Sequence, residues 1–159
     1  MTVLTMPFTI SGSTGETAIF VAQQRKNSFE LLQDSNSLGL ASKGTFQKLD
    51  EIFQECSVVG WDGGEAKPIS DEVLYYTKMF LSSLPLGIEA PEISAEPDGA
   101  ISLEWYRSLR KVLSISINSD GWIYYAALMG ASRRHGVDFA LVSISEDLLR
   151  LISKVTKDS

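Results

Sequence analysis

The sequence holds one cysteine and one histidine in 159 residues, and these two scarcities remove whole classes of chemistry. With Cys56 alone, no internal disulfide and no cysteine-based metal cluster can form. With His135 alone, a multi-histidine metal site within one chain is excluded, and any histidine-assisted nucleophile would depend wholly on that residue. No apolar run approaches the ~18 to 20 residues that span a bilayer. The opening "MTVLTMPFTISGS" lacks the basic start and long apolar centre of a signal peptide, so a soluble, unexported, cytoplasmic protein is expected. The nucleophile elbow G-x-S-x-G, the phosphate loop, H-E-x-x-H, C-x-x-C and the dinucleotide-binding glycine fingerprint are all missing. From so sparse an inventory neither a metal nor a cofactor is expected.

What is present describes an ordinary folded domain. Hydrophobic residues make up 44% and charged residues 21%, which favours a single globular unit over disorder or a fibrous repeat. The formal charge is −6 and unevenly spread. Residues 61–104 hold nine acids against Lys67 and Lys78, whereas residues 105–159 hold eight basic side chains against five acids. Because counterion release drives most nucleic-acid binding, an acidic chain without a long basic stripe is not expected to bind DNA or RNA directly. The acidic segment fits either a solvated surface or the attraction of a basic partner.

Periodicity divides the chain, read as one domain over 1–159, into blocks. Residues 1–44 suggest strands and a short helix: "TVLTMPFTIS" and "TAIFVAQQ" alternate weakly, and "SFELLQDSNSLGL" fits a short helix or a third strand. Residues 45–84 predict two helices. In the first, Phe46, Leu49, Phe53 and Cys56 recur at steps of three and four, which makes Cys56 a small buried hydrophobe, and the helix should stop near Ser57 to Gly60.

The stretch "GWDGGEAKPIS" that follows reads as the approach to the second helix. Asp62, Gly63 and Gly64 form turns, Pro68 cannot sit inside a helix, and Ser70 supplies an N-cap oxygen for the first free backbone N–H groups. Asp71 and Glu72 then complement the helix dipole, and Ile69 can staple onto Leu74. Val73, Thr77, Phe80, Leu81 and Leu84 carry the apolar stripe to a stop at Pro85 and Gly87. Trp61 and Asp62 are left over, Trp61 as a packing anchor or a ligand platform.

Residues 92–142 change period from helical to alternating. Ile101, Leu103 and Trp105, then Leu113, Ile115 and Ile117, then Ile123, Tyr125 and Ala127 predict three strands, with Glu92 to Ala95 pairing in front. Pro97 to Gly99 and Asn118 to Gly121 make tight turns and Arg107 to Arg110 a loop, so the connections suit only antiparallel neighbours. "GASRRHG" reads as a polar loop and Val137 to Val142 as a further strand. Residues 144–156 predict a C-terminal helix, with Ser143 and Glu146 at capping-box spacing and Leu148, Leu149, Ile152 and Val155 facing inward. Blocks of helix and strand rather than strict alternation give an α+β fold: an antiparallel meander of about four to six strands with two or three helices on one face.

"GWDGGEAKPIS", the helix ending in "LPLGIEAPEI", then "EPDGAISLEWY" and "LSISINSDGWIYYAAL" together carry a resemblance. Over roughly residues 60–155 the chain resembles a widespread group of small bacterial proteins that share W-D-G-x-x-A-x-P-[IV], P-x-P-x-[VI], P-D-G-x-[IV]-x-L-[ED]-W and a following S-[IV]-S-[IV] strand. Gly64 stands where a more variable polar or aromatic residue is expected. The resemblance implies a bacterial or mobile-element origin and a common fold, and it carries no activity and no catalytic residues with it.

Two function classes follow from the residues. The first is a non-catalytic interaction protein, such as a toxin-neutralising partner or an inhibitor of a bacterial defence complex, with nucleic-acid mimicry as one form. It would bind a basic protein partner through Trp61, Asp62, Glu89, Glu92, Glu96 and Asp98. The second is a small hydrolase or anion-binding enzyme working through Asp62, Glu104, Arg133, Arg134 and His135, where the two arginines grip an anion bidentately. The bland alternatives are an exposed loop for His135 and a solvent-facing strand position for Glu104. The first class requires a contiguous acidic or aromatic patch, the second one concave pocket that gathers its five residues. The poor catalytic inventory favours the first. A homodimer is compatible with the sequence, and Trp122, Tyr124 and Tyr125 line either a groove or the core.

Overall fold

Side-chain alternation organises the second half of the molecule. The computed structural model describes residues 40–141 and 143–157, which belong to Gly39–Ser159, one of the two units into which the chain divides. The strands and short helix expected within residues 1–39 lie outside the described residues. Five strands form one antiparallel sheet in sequence order: β1 (Glu92–Ala95), β2 (Ile101–Ser108), β3 (Lys111–Ile117), β4 (Trp122–Met129) and β5 (Ser132–Phe139). Ile101, Leu103, Trp105, Leu113, Ile115, Ile117, Ile123 and Ala127 fall on one face and are all buried. Each large aliphatic among them contributes about 1.5 to 3 kcal/mol by leaving water.

Three helices supply the other wall of this core. α1 (Leu40–Cys56) packs on β1, α2 (Asp71–Ser83) on β2 and β3, and α3 (Glu146–Thr156) on β2, β3 and β4. They bury Phe46, Leu49 and Cys56, then Val73, Thr77, Phe80 and Leu81, then Leu148, Ile152 and Val155. The fold is therefore α+β, as the block pattern predicts. Thr77 is the one polar residue in this core among the described residues, and its hydroxyl donates to Val73 O at 2.8 Å within its own helix. Among the described residues no helix is long and apolar enough to cross a membrane.

The local chemistry of "GWDGGEAKPIS" works as its residues predict. Ser70 is extended at φ −89° and ψ 163° and its hydroxyl accepts from Val73 N, with Asp71 and Glu72 in the first turn behind it. The loop before it closes on itself and on the β1–β2 turn: Gly60 N donates to Ala66 O, Ile69 N to Cys56 O and Lys67 N to Pro97 O, each within 2.9 Å.

Four boundaries differ from the sequence expectation. α1 begins at Leu40 rather than Thr45, because Gly44 sits exposed inside the helix instead of ending a loop. β2 continues through Arg107 and Ser108, so the turn to β3 is only Leu109 and Arg110, with a bulge between Tyr106 and Ser108. Of "GASRRHG" only Gly130 and Ala131 form a turn: Ser132 to His135 already pair with Met129 to Ala126, and β5 ends at Phe139. An edge strand with several solvent-facing positions shows no apolar alternation, and its charges discourage pairing with other chains. Finally, α3 is capped by Ser145 rather than Ser143. Its hydroxyl accepts from Leu148 N at 3.3 Å while its own N–H donates to Asp138 Oδ2 at 3.0 Å.

Candidate functional site

Apart from Asp71 and Glu72 in the first turn of α2, the acids of the middle segment separate into three groups once folded. Asp62 and Glu65, in the loop before α2, and Glu96 and Asp98, at the β1–β2 turn, meet at one corner because Lys67 N bonds Pro97 O and Gly99 packs on Lys67 and Pro68. Asp62 Oδ1 accepts from Gly64 N at 2.8 Å and Ala66 N at 3.3 Å, and Asp98 Oδ1 from Ala100 N at 3.1 Å. Each of the two therefore spends one oxygen on shaping its turn and leaves the other toward water. Trp61 is half-buried beneath this corner and donates from Nε1 to Lys67 O at 3.0 Å. Its indole holds the loop closed.

Glu89 stands apart. Its carboxylate pairs with Arg107, whose guanidinium also donates to Thr156 O at 3.0 Å and Val155 O at 3.4 Å. Lys111 Nζ adds a bond to Lys157 O at 2.8 Å. Two cations thus satisfy carbonyls at the end of α3, and Glu89 orients one of them.

Glu92 and Glu104 form the third group. They are direct partners across β1 and β2 on the sheet face that no described helix covers. Like charges directly opposite cost a strand pair a few tenths of a kcal/mol up to about 1 kcal/mol. That outer face reads in cross-strand rows. One runs Glu92, Glu104, Ser114, Ala126, His135, and the next Ser94, Ser102, Ser116, Tyr124, Val137. A third runs Tyr106, Val112, Leu128, Arg133. The two acids lie on β1 and β2, which also carry Ser94, Ser102 and Tyr106; β3 contributes Val112, Ser114 and Ser116; Tyr124, Leu128, Val137 and the basic Arg133 and His135 lie on β4 and β5. Trp122, 45% exposed, leans on Phe139 with ring centroids 5.1 Å apart, and Tyr124 beside it is 47% exposed. Both therefore belong to the surface, whereas Tyr125 turns to the helix face and is half-buried.

The five residues of the enzymatic reading are not gathered into one pocket. Asp62 belongs to the loop against the β1–β2 turn, while Arg133 and Arg134 lie at the far end of the opposite edge strand. Glu104 and His135 share a row three strand spacings apart, roughly 14 Å. Alternation also splits the arginines, with Arg133 on the outer face and Arg134 on the helix side. A shallow cleft of about 210 Å³ between β5 and α3 does bring Arg134, Arg150 and Lys154 near one another, and His135 borders it. Asp147 lines the same cleft and Glu146 takes Arg150 at 3.4 Å, so acids offset much of its positive charge.

Tyr125 also lines that cleft. Burial, then the charges of Asp138 and Asp147, raise its phenol above the usual tyrosine range, and a hydrogen bond with Ser145 opposes them in part. Burial and then Glu55 raise the Cys56 thiol in the same way. A buried thiol kept protonated is a poor nucleophile. Among the described residues no group of three or more His, Cys, Asp or Glu is placed to hold a metal ion.

Sequence reasoning missed the continuity of the outer face and the Arg107 clamp. The alternation that places Glu104 opposite Leu103 and Trp105 was the available signal for the first; nothing local announces the second. Set beside protein-family models, curated proteins and solved structures, the chain matches none of them.

Proposed function

We propose that the protein is a non-catalytic interaction protein that presents an acidic corner to a basic protein surface, with neutralisation of a toxin or inhibition of a bacterial defence complex as its biological form. The observation that supports this reading is the corner itself. Asp62, Glu65 and Asp98 face water around Lys67 with Glu96 half-buried beside them, on two turns joined by the Lys67 N to Pro97 O hydrogen bond and braced by Trp61. Four acids around one lysine leave a local excess of negative charge, which steers an oppositely charged partner and helps to fix its register. The dispersal of Asp62, Glu104, Arg133, Arg134 and His135 over separate places weighs against the hydrolase alternative.

The test uses neutral isosteres. Asp62→Asn and Asp98→Asn keep the Oδ1 acceptors that shape the turns, and Glu65→Gln with Glu96→Gln removes the remaining charge. Affinity purification from the native cells should recover one stoichiometric basic protein on the unaltered chain and lose it on the fourfold variant. Recovery of the same protein on both forms, or of none on the unaltered chain, would overturn the reading.

A further inference from the structure

The outer face of the sheet is self-complementary under one symmetry operation. Take a two-fold axis parallel to the strands, passing above β3. It lays β1 of a second copy over β5 of the first and β2 over β4, while β3 faces itself. The rows then meet in a consistent way: Glu92 faces the partner's His135, Ser102 faces the partner's Tyr124, Glu104 faces the partner's Ala126, and Ser114 and Ser116 face their own copies. Arg133 lies one row along, about 7 Å, within the reach of a guanidinium from the opposed acids. Glu92 thus meets a basic residue with Arg133 one row away, Glu104 meets a small residue, and the exposed Tyr124 and Tyr106 meet Ser102 and Leu128. A two-fold axis across the strands would instead stack the acidic strands on each other, which like-charge repulsion disfavours.

We propose that the outer face joins two copies of this chain into a homodimer, sheet on sheet, about the axis parallel to the strands. Serine along the middle permits the ~10 Å approach and roughly −30° alignment of packed sheets. The face measures roughly 24 Å by 24 Å, or about 600 Å² in projection, somewhat less than the ~800 Å² per partner typical of stable interfaces. Pleating and the projecting Trp122 and Tyr124 side chains raise the area available for contact. This dimer is independent of the acidic corner, whose residues lie outside the two faces that meet.

Two complementary variants of the full chain test it by sedimentation velocity at tens of micromolar. Glu92→Lys with Glu104→Lys makes a face without acid at those positions, and Arg133→Glu with His135→Glu makes one without base. The unaltered chain should sediment as a dimer and each variant alone as a folded monomer, at least about tenfold weaker in self-association. Mixed one to one, the two variants should recover a dimer containing one of each, a result that misfolded chains cannot give. A monomeric unaltered chain would overturn the proposal. Variants that stay dimeric alone, or a mixture that stays monomeric, would overturn it as well.

Discussion

The Tyr125 ring lies across Gly136 of the neighbouring strand, the two residues being direct register partners between β4 and β5. A Cβ built on Gly136 would collide with the phenol oxygen and with the adjacent ring carbons, so the side chain could not remain where it is. An aromatic ring laid over a strand glycine covers backbone that would otherwise be bare. Gly136→Ala should therefore destabilise by about 1 to 2 kcal/mol, the displaced ring outweighing the gain of about 0.4 to 1 kcal/mol from a stiffer unfolded chain. In a Tyr125→Ala background the same change should become neutral or stabilising. A double-mutant cycle read by urea unfolding measures the difference, and additive effects would rule the account out.

The same tyrosine links stability to alkaline pH. Its phenol is raised by burial and by Asp138 and Asp147, so the folded state holds the proton more tightly than the unfolded chain. The resulting stabilisation is complete below the unfolded value near 10 and is lost as pH rises through the folded one. Between pH 9 and 11 the urea midpoint of the unaltered protein should fall more steeply than that of Tyr125→Phe. Parallel curves would show that the tyrosine does not carry this linkage.

Trp61 braces a loop, and its contribution should appear in stability before it appears in binding. Replacing it with Phe deletes the Nε1 bond to Lys67 O and keeps most of the ring, at a cost of about 0.5 to 1.5 kcal/mol. Asp62→Asn, which preserves the acceptor for Gly64 N and Ala66 N, should lie within about 0.5 kcal/mol of the unaltered protein, while Asp62→Ala should lose about 1 kcal/mol. Thermal unfolding of the three variants sets that order. An Asn variant as unstable as the Ala variant would mean that the charge, not the hydrogen bonds, maintains the turn.

The elements that could be read from the sequence are those whose signals are local. The start of α2 needs only Ser70, two acids and a staple residue within six positions, and β2 to β4 declare themselves by unbroken alternation over a buried face. β5 hides because its positions from Ser132 to His135 face water at an edge, so polarity imitates a loop. Ser143 and Ser145 offer similar caps for α3, and the choice between them falls to Asp138, a residue of another element that holds the Ser145 N–H. The site divides in the same way. The turn acids Asp62 and Asp98 are visible one by one, whereas Glu89 is claimed by Arg107 eighteen positions away and the outer rows exist only once strand register is set. A one-residue slip of any strand would reverse its faces, so no composition or charge count carries that information.

Register and turn chemistry meet at Gly121, and substitution there separates backbone strain from packing. Its φ is +84°, in the left-handed region, and a Cβ would stand 3.1 Å from Tyr76 Cζ and 3.2 Å from Phe139 Cε2. Gly130, in the β4–β5 hairpin, has φ +67° with nothing within 4 Å of the corresponding point. Gly130→Ala therefore measures strain alone, about 1 to 2 kcal/mol. Gly121→Ala should cost at least about 1 kcal/mol more, because Tyr76 of α2 and Phe139 of β5 must give way and both are ring systems packed at the sheet end. Phe139 also supports Trp122, so the emission of that indole should shift in the Gly121 variant and stay put in the Gly130 variant. Equal losses in the two variants would mean that the rings move freely, and the contact between α2 and the β3–β4 turn would then contribute nothing to holding this end of the sheet.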